Sequence, residues 1–82
     1  MMDYQKEIIK NLNLDALNIP EAFGWNILNI CCTSVDDARH AIRICDDIPA
    51  LWASVVYEEK GQKRTTLIKM LKSKIRKLEK QA

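Results

Sequence analysis

The sequence predicts an all-α fold: a compact bundle of about five short helices ending in a longer basic amphipathic helix. Three observations predict it. Apolar residues recur three and four apart along the chain. No run alternates apolar and polar residues as a half-buried strand would. Residues that start or stop helices, among them Pro20, Ser34, Pro49 and Gly61, divide the chain into pieces of helix length.

The elements follow in order. From Asp3 to Leu12, Ile8, Ile9 and Leu12 fall at helical spacing beside polar neighbours, with Asp3 placed to cap the first turn. Asn11, Asn13 and Asn18 then interleave with leucines up to Pro20, which suits either a helical turn or an extended connection. A second helix from about Pro20 to Cys31 begins on a proline whose missing N–H is not needed in a first turn, and places Phe23, Ile27, Ile30 and Cys31 on one side. Gly24 weakens it by about 1 kcal/mol relative to Ala and marks a close packing contact or a late start. Ser34-Val35-Asp36-Asp37 opens a third helix to about Cys45, in which Ala38, Ala41, Ile42 and Cys45 form the apolar stripe and Arg39, His40 and Arg43 the wet face.

A fourth helix, Pro49 to about Lys60, buries Leu51 or Trp52 with Val55 and Val56 and stops at Gly61. Ile48-Pro49 with Trp52 and Val56 echoes Ile19-Pro20 with Phe23 and Ile27, which reads as one local solution used twice. The fifth helix, about Lys63 to Glu79, carries Leu67, Ile68, Leu71, Ile75 and Leu78 within one sector of the helical wheel. Its heptad seam covers too few repeats for an independent coiled coil, so it is expected to dock on the domain's own core.

At 82 residues the chain is one domain. So small a core gives a stability of only a few kcal/mol, roughly, unless a partner braces it. The modest net charge of +2 hides a dipole. Lys60 to Ala82 holds nine basic residues against the single acid Glu79, whereas Met1 to Glu59 holds four against ten acids. Three cysteines, two of them adjacent, are a poor basis for a disulfide framework and fit a reducing cytoplasm. The start MMDYQKEIIK lacks the features of a secretory signal, and no run approaches the roughly 18 apolar residues a membrane span needs. A cytoplasmic protein is expected.

Enzymatic chemistry is not expected. His40 is the only histidine and no nucleophile, base and orienter set can be read around it. Cys31, Cys32, His40 and Cys45 are zinc-binding types but form no CxxC pair, and adjacent cysteines on a helix point about 100° apart. The three cysteines read as buried thiols, with no metal and no cofactor expected. Two of the acid pairs, Asp36-Asp37 and Asp46-Asp47, sit at helix starts, where negative charge is favourable. Glu58-Glu59 sits at a helix end, where it is not, which hints at pairing with the last helix or with a partner.

Binding is where the remaining signals point. Lys69, Lys72, Arg76 and Lys80, three and four apart, form one basic ridge opposite the apolar seam of the last helix. The ridge is a solvated face, a contact for a protein partner, or a track for nucleic-acid phosphates. Against nucleic acid stand the acidic body, the absence of aromatics among the basic residues, and a helix after Pro49 that offers no Arg, Lys, Asn or Gln before Lys60 to read bases. Trp25 and Trp52 are large for so small a core: both complete it, or whichever is partly exposed anchors an interface.

Two stretches, NLDALNIPEAFGWNILNICC from Asn13 to Cys32 and LWASVVYEEKGQKRTTLIKMLKSKI from Leu51 to Ile75, together with the size of the chain, resemble the cytoplasmic antiholins of T-even phages, the rIII-type lysis-inhibition proteins. The resemblance runs over nearly the whole chain and brings no defined motif, so it assigns no functional residue. It implies a cytoplasmic regulator that binds the cytoplasmic N-terminal part of the phage holin and delays lysis. The expected mechanism seats an amphipathic holin segment in a helical groove, with apolar contact supplying affinity and charge setting orientation. The possibility of a homo-oligomer, through the heptad seam of the last helix, stays open.

Overall fold

Asparagines set the geometry of the first ordered turn. The computed structural model describes residues 11–81. Asn13 and Asn18, at φ 56° and 58°, bracket a 3₁₀ turn Leu14–Leu17. Asparagine tolerates this left-handed conformation better than most residues. The turn closes through Asn18 N–H to the Asp15 carbonyl and Ile19 N–H to the Leu14 carbonyl, and delivers Leu14 and Ile19 into the core. The interleaved asparagines are therefore turn residues, not an extended connection. The helix expected over Asp3 to Leu12 lies outside the described residues except for Asn11 and Leu12, which form a turn.

Four α-helices follow, and there is no strand among the described residues. Helix α1 spans Gly24–Cys31 and is entered through a 3₁₀ turn, Glu21–Phe23, after Pro20. Gly24 thus marks a late α start. Helix α2 spans Val35–Ile44, and its cap is the one read from the sequence: Ser34 Oγ accepts from Asp37 N–H at 3.2 Å. Helix α3 spans Ile48–Lys60, capped by Asp47 Oδ1 accepting from Ala50 N–H. Helix α4 spans Thr65–Gln81. The bundle thus has four α-helices among the described residues where the sequence predicts about five.

Helix α3 stops at Gly61, as the sequence predicts, but the glycine is not the left-handed residue of the turn. Gly61 follows the helix and its N–H reaches the Tyr57 and Glu58 carbonyls, but its φ is −108°. The left-handed residue is Lys63, at φ 56°, whose N–H returns to the Glu58 carbonyl at 2.8 Å.

Helix α1 packs on α2 and α3, and α4 packs on the same two. Going round the bundle the order is α1, α2, α4, α3, so α2 and α3, consecutive in sequence, lie across it from each other. The apolar sectors read from the sequence meet at the centre: Ile27 and Ile30 from α1, Ile42 from α2, Leu51 and Val55 from α3, and Leu67, Leu71 and Ile75 from α4. Leu71 and Ile75 of the α4 seam are buried in its own core and Leu78 packs against it, whereas Ile68 is only half-buried. The expected burial of Val56 is corrected, and the alternatives left open for the tryptophans are decided. Trp52 and Val56 face outward, because Ala50, Leu51, Ala53, Ser54 and Val55 fill the buried side of α3. Trp25 is likewise 45% exposed, since the α1 contacts are made by Ile27, Ile30 and Cys31.

Candidate partner-binding surfaces

Side chains from the basic segment are first of all structural. Arg64, in the connection before α4, forms a two-pronged pair with the buried Glu58: Nε to Oε2 at 3.0 Å and Nη2 to Oε1 at 3.1 Å, with the Arg64 backbone N–H also on Oε2. The same guanidinium donates to the Thr33 carbonyl at 2.7 Å and the Cys31 carbonyl at 2.9 Å, capping the C-terminal end of α1. Burial pushes the Glu58 carboxyl up, but hydrogen bonds and charge from Arg64 outweigh it and hold the group below its ordinary range. Lys74 does for α2 what Arg64 does for α1. Its Nζ donates to the Arg43 carbonyl at 2.8 Å and lies 3.7 Å from Asp46.

The misfit of Glu58 and Glu59 at a helix end is thereby resolved. Glu58 faces Arg64, and Glu59 faces Lys72 at 3.9 Å. No buried side-chain nitrogen or oxygen among the described residues lacks a hydrogen-bond partner.

The four residues of the predicted basic ridge are all exposed. They do not act as one line. Lys72 leans toward α3 and Glu59, whereas Lys69 borders a cleft shared with α2. Arg39 and Arg43 from α2 and Lys69, Lys74 and Lys77 from α4 line that cleft, which has a volume of about 370 Å³ and includes Ser73, Ile42 and Met70. Arg76 and Lys80 lie outside it. By sequence alone, Arg39 and Arg43 belong to the wet face of α2. Their four-residue spacing shows that they share a side of α2, but nothing in the sequence says that this side faces Lys69 and Lys77.

On the other flank of α2 a larger groove, about 720 Å³, opens between α1 and α2. Ile30, Ala41, Ile44 and Cys45 supply its apolar lining; Asn26, Asn29, Thr33, Asp37 and His40 supply its polar groups. Ile44 is 68% exposed, the most exposed of the large apolar side chains among the described residues. It falls two residues from Ile42 and hence about 200° round the helix from that buried position. Among the described residues it is not part of the core cluster. Trp52 and Val56, four apart on the outer side of α3, and Trp25 on α1 are the other large apolar groups left in water among the described residues.

The cysteines are not uniformly buried thiols. Cys31 is buried and its thiol donates to the Ser54 carbonyl; burial and then the Glu58 charge push its pKa up to about 12. Cys32 is exposed and Cys45 half-buried. Burial also raises Cys32, against the pull of Arg64. No group of three or more His, Cys, Asp or Glu side chains among the described residues converges to hold a metal ion. No helix among them is long and apolar enough to cross a membrane.

A scan against family models, a search of curated proteins and a search of solved structures each return no match to this chain.

Proposed function

We propose that the chain is a small regulatory binding protein that takes an amphipathic segment of a protein partner into the groove between α1 and α2. The observation that carries this is Ile44. Exposing most of a large aliphatic side chain forgoes about 1 to 2 kcal/mol of burial, and here it stands beside an open groove with an apolar lining and a polar rim. That is the anatomy of a helix-in-groove receptor, in which anchors at three- and four-residue spacing enter an apolar trough.

The resemblance to the cytoplasmic antiholins of T-even phages names a partner for the groove. The occupant is the cytoplasmic N-terminal segment of a holin, and its capture in the cytoplasm holds the holin back from forming its membrane lesion and so delays lysis. The chain acts by binding, not catalysis. The exposed tryptophans, Trp25 and Trp52, would extend the contact beyond the groove, since large amphipathic rings anchor interfaces well.

Titrating the full chain with a peptide of the holin's cytoplasmic N-terminal segment tests this reading. Saturable binding is expected, and Ile44→Asp should weaken it at least tenfold while leaving thermal unfolding unchanged. Absence of binding by the unaltered chain would remove the holin as partner. Normal binding by a folded Ile44→Asp variant would remove the groove.

A further inference from the structure

We propose that the cleft between α2 and α4 is a second docking site, for an acidic amphipathic stretch of protein; this rests on the reading of the chain as a protein-binding regulator. The walls carry cations in register with helical geometry. Arg39 and Arg43 stand four apart on α2, and Lys69, Ser73 and Lys77 stand at successive four-residue steps on α4. Among the described residues, Arg43, Lys69 and Lys77 have no ion-pair partner, and Arg39 has only a loose one, 3.8 Å from the exposed Asp36. Lys74, already held by the Arg43 carbonyl and Asp46, fixes the separation of the walls.

The shape and chemistry of the cleft favour a protein over a nucleic acid. Met70, half-buried, and the edge of Ile42 offer apolar contact between the cationic walls, which suits leucine-like side chains flanked by carboxylates. A phosphate backbone has no apolar side to place there. It also carries a charge at every nucleotide, and would meet Asp36 and Asp46 at the cleft margins. No aromatic side chain lines the cleft to stack a base. An acidic helix can instead space its carboxylates three and four apart, opposite Arg39, Arg43, Lys69 and Lys77, and present nothing to the two aspartates. Arginine on one wall also allows two-pronged recognition of carboxylates.

The site lies on the far side of α2 from the α1–α2 groove, so its failure is separable from failure of that reading. The probe is a synthetic helical peptide of about four turns with leucines along one face and glutamates on both flanks. Its control has every glutamate replaced by glutamine. Backbone amide shifts of the isotope-labelled full chain should move at Arg39, Arg43, Lys69, Met70 and Lys77 with the acidic peptide and not with the control. Lys69→Glu/Lys77→Glu should weaken binding at least tenfold, and so should Arg39→Gln/Arg43→Gln, which leaves α4 untouched. Ile44→Asp should leave binding of this probe unchanged. Loss of probe binding in Ile44→Asp would place it in the other groove and overturn the cleft while sparing the first reading. A single-stranded oligonucleotide that shifts the same amides, with a steeper salt dependence than the peptide, would reassign the cleft to nucleic acid. No shift with either ligand at low salt would reduce it to a solvated face.

Discussion

Arg64 and Glu58 form a buried two-pronged pair in which a side chain from the connection before α4 neutralises the last turn of α3 and caps α1 at the same time. Three of the four helices are tied at this one point. The Glu58 side chain is 1% exposed and that of Arg64 only 21%. Glu58→Ala is therefore expected to cost about 3 kcal/mol, toward the lower end for breaking a buried pair because Arg64 keeps some water. Arg64→Lys should also destabilise, since an ammonium cannot replace a fork that serves Glu58, Cys31 and Thr33 together. Urea unfolding of each variant measures both.

The same pair sets an acid limb. The Glu58 carboxyl lies below its ordinary pKa in the folded protein, so the unfolded chain takes up the proton first as pH falls. Its contribution is present above the unfolded value near 4.5 and is lost as pH drops through the lower folded value. Melting temperatures taken from neutral pH to about pH 3 should fall less steeply for Glu58→Gln than for the parent chain.

Cysteine reactivity should follow exposure. A thiol reagent at neutral pH is expected to label Cys32 and Cys45 before Cys31, which reacts only as the chain unfolds, as peptide mapping by mass spectrometry would show. The Cys31 thiol, raised from 9.0 to about 12, adds a linkage of the opposite direction. The unfolded chain ionises first, so this contribution is intact below about pH 9 and is lost between there and about pH 12.

Two substitutions separate the turn after α3 into its parts. Lys63 occupies a left-handed conformation that costs a side-chain-bearing residue about 1 kcal/mol, so Lys63→Gly should be neutral or stabilising. Gly61→Ala should be mildly destabilising for a different reason. Its new Cβ would meet the Tyr57 carbonyl oxygen at 3.2 Å, and that oxygen belongs to the helix backbone. Thermal unfolding of the two variants should move in opposite directions or leave Lys63→Gly unchanged.

The lysines of α4 should also divide. Lys74, 18% exposed and bonded to the end of α2, is expected to cost about 1 kcal/mol when replaced by alanine. Lys72, about half exposed and 3.9 Å from Glu59, should cost no more than about 0.5 kcal/mol. Equal losses in denaturant titrations would contradict this division.

The sequence by itself determined the helical class, the caps at Ser34 and Gly61, and the inward faces of α1, α2 and α4. These are local matters: apolar spacing, side-chain oxygens beside free N–H groups, and the dipole at a helix start act within a few residues. Tertiary structure decided which of two outward or inward options α3 took, because Leu51 and Trp52 are neighbours and only the packing of α1 and α4 selects the smaller one for the core. It decided that Arg64 and Lys74 close the ends of other helices, leaving Lys69 and Lys77 to face Arg39 and Arg43. Those pairings join residues about thirty positions apart. Charge along a chain records how many cations there are, and only the fold records which of them are already engaged.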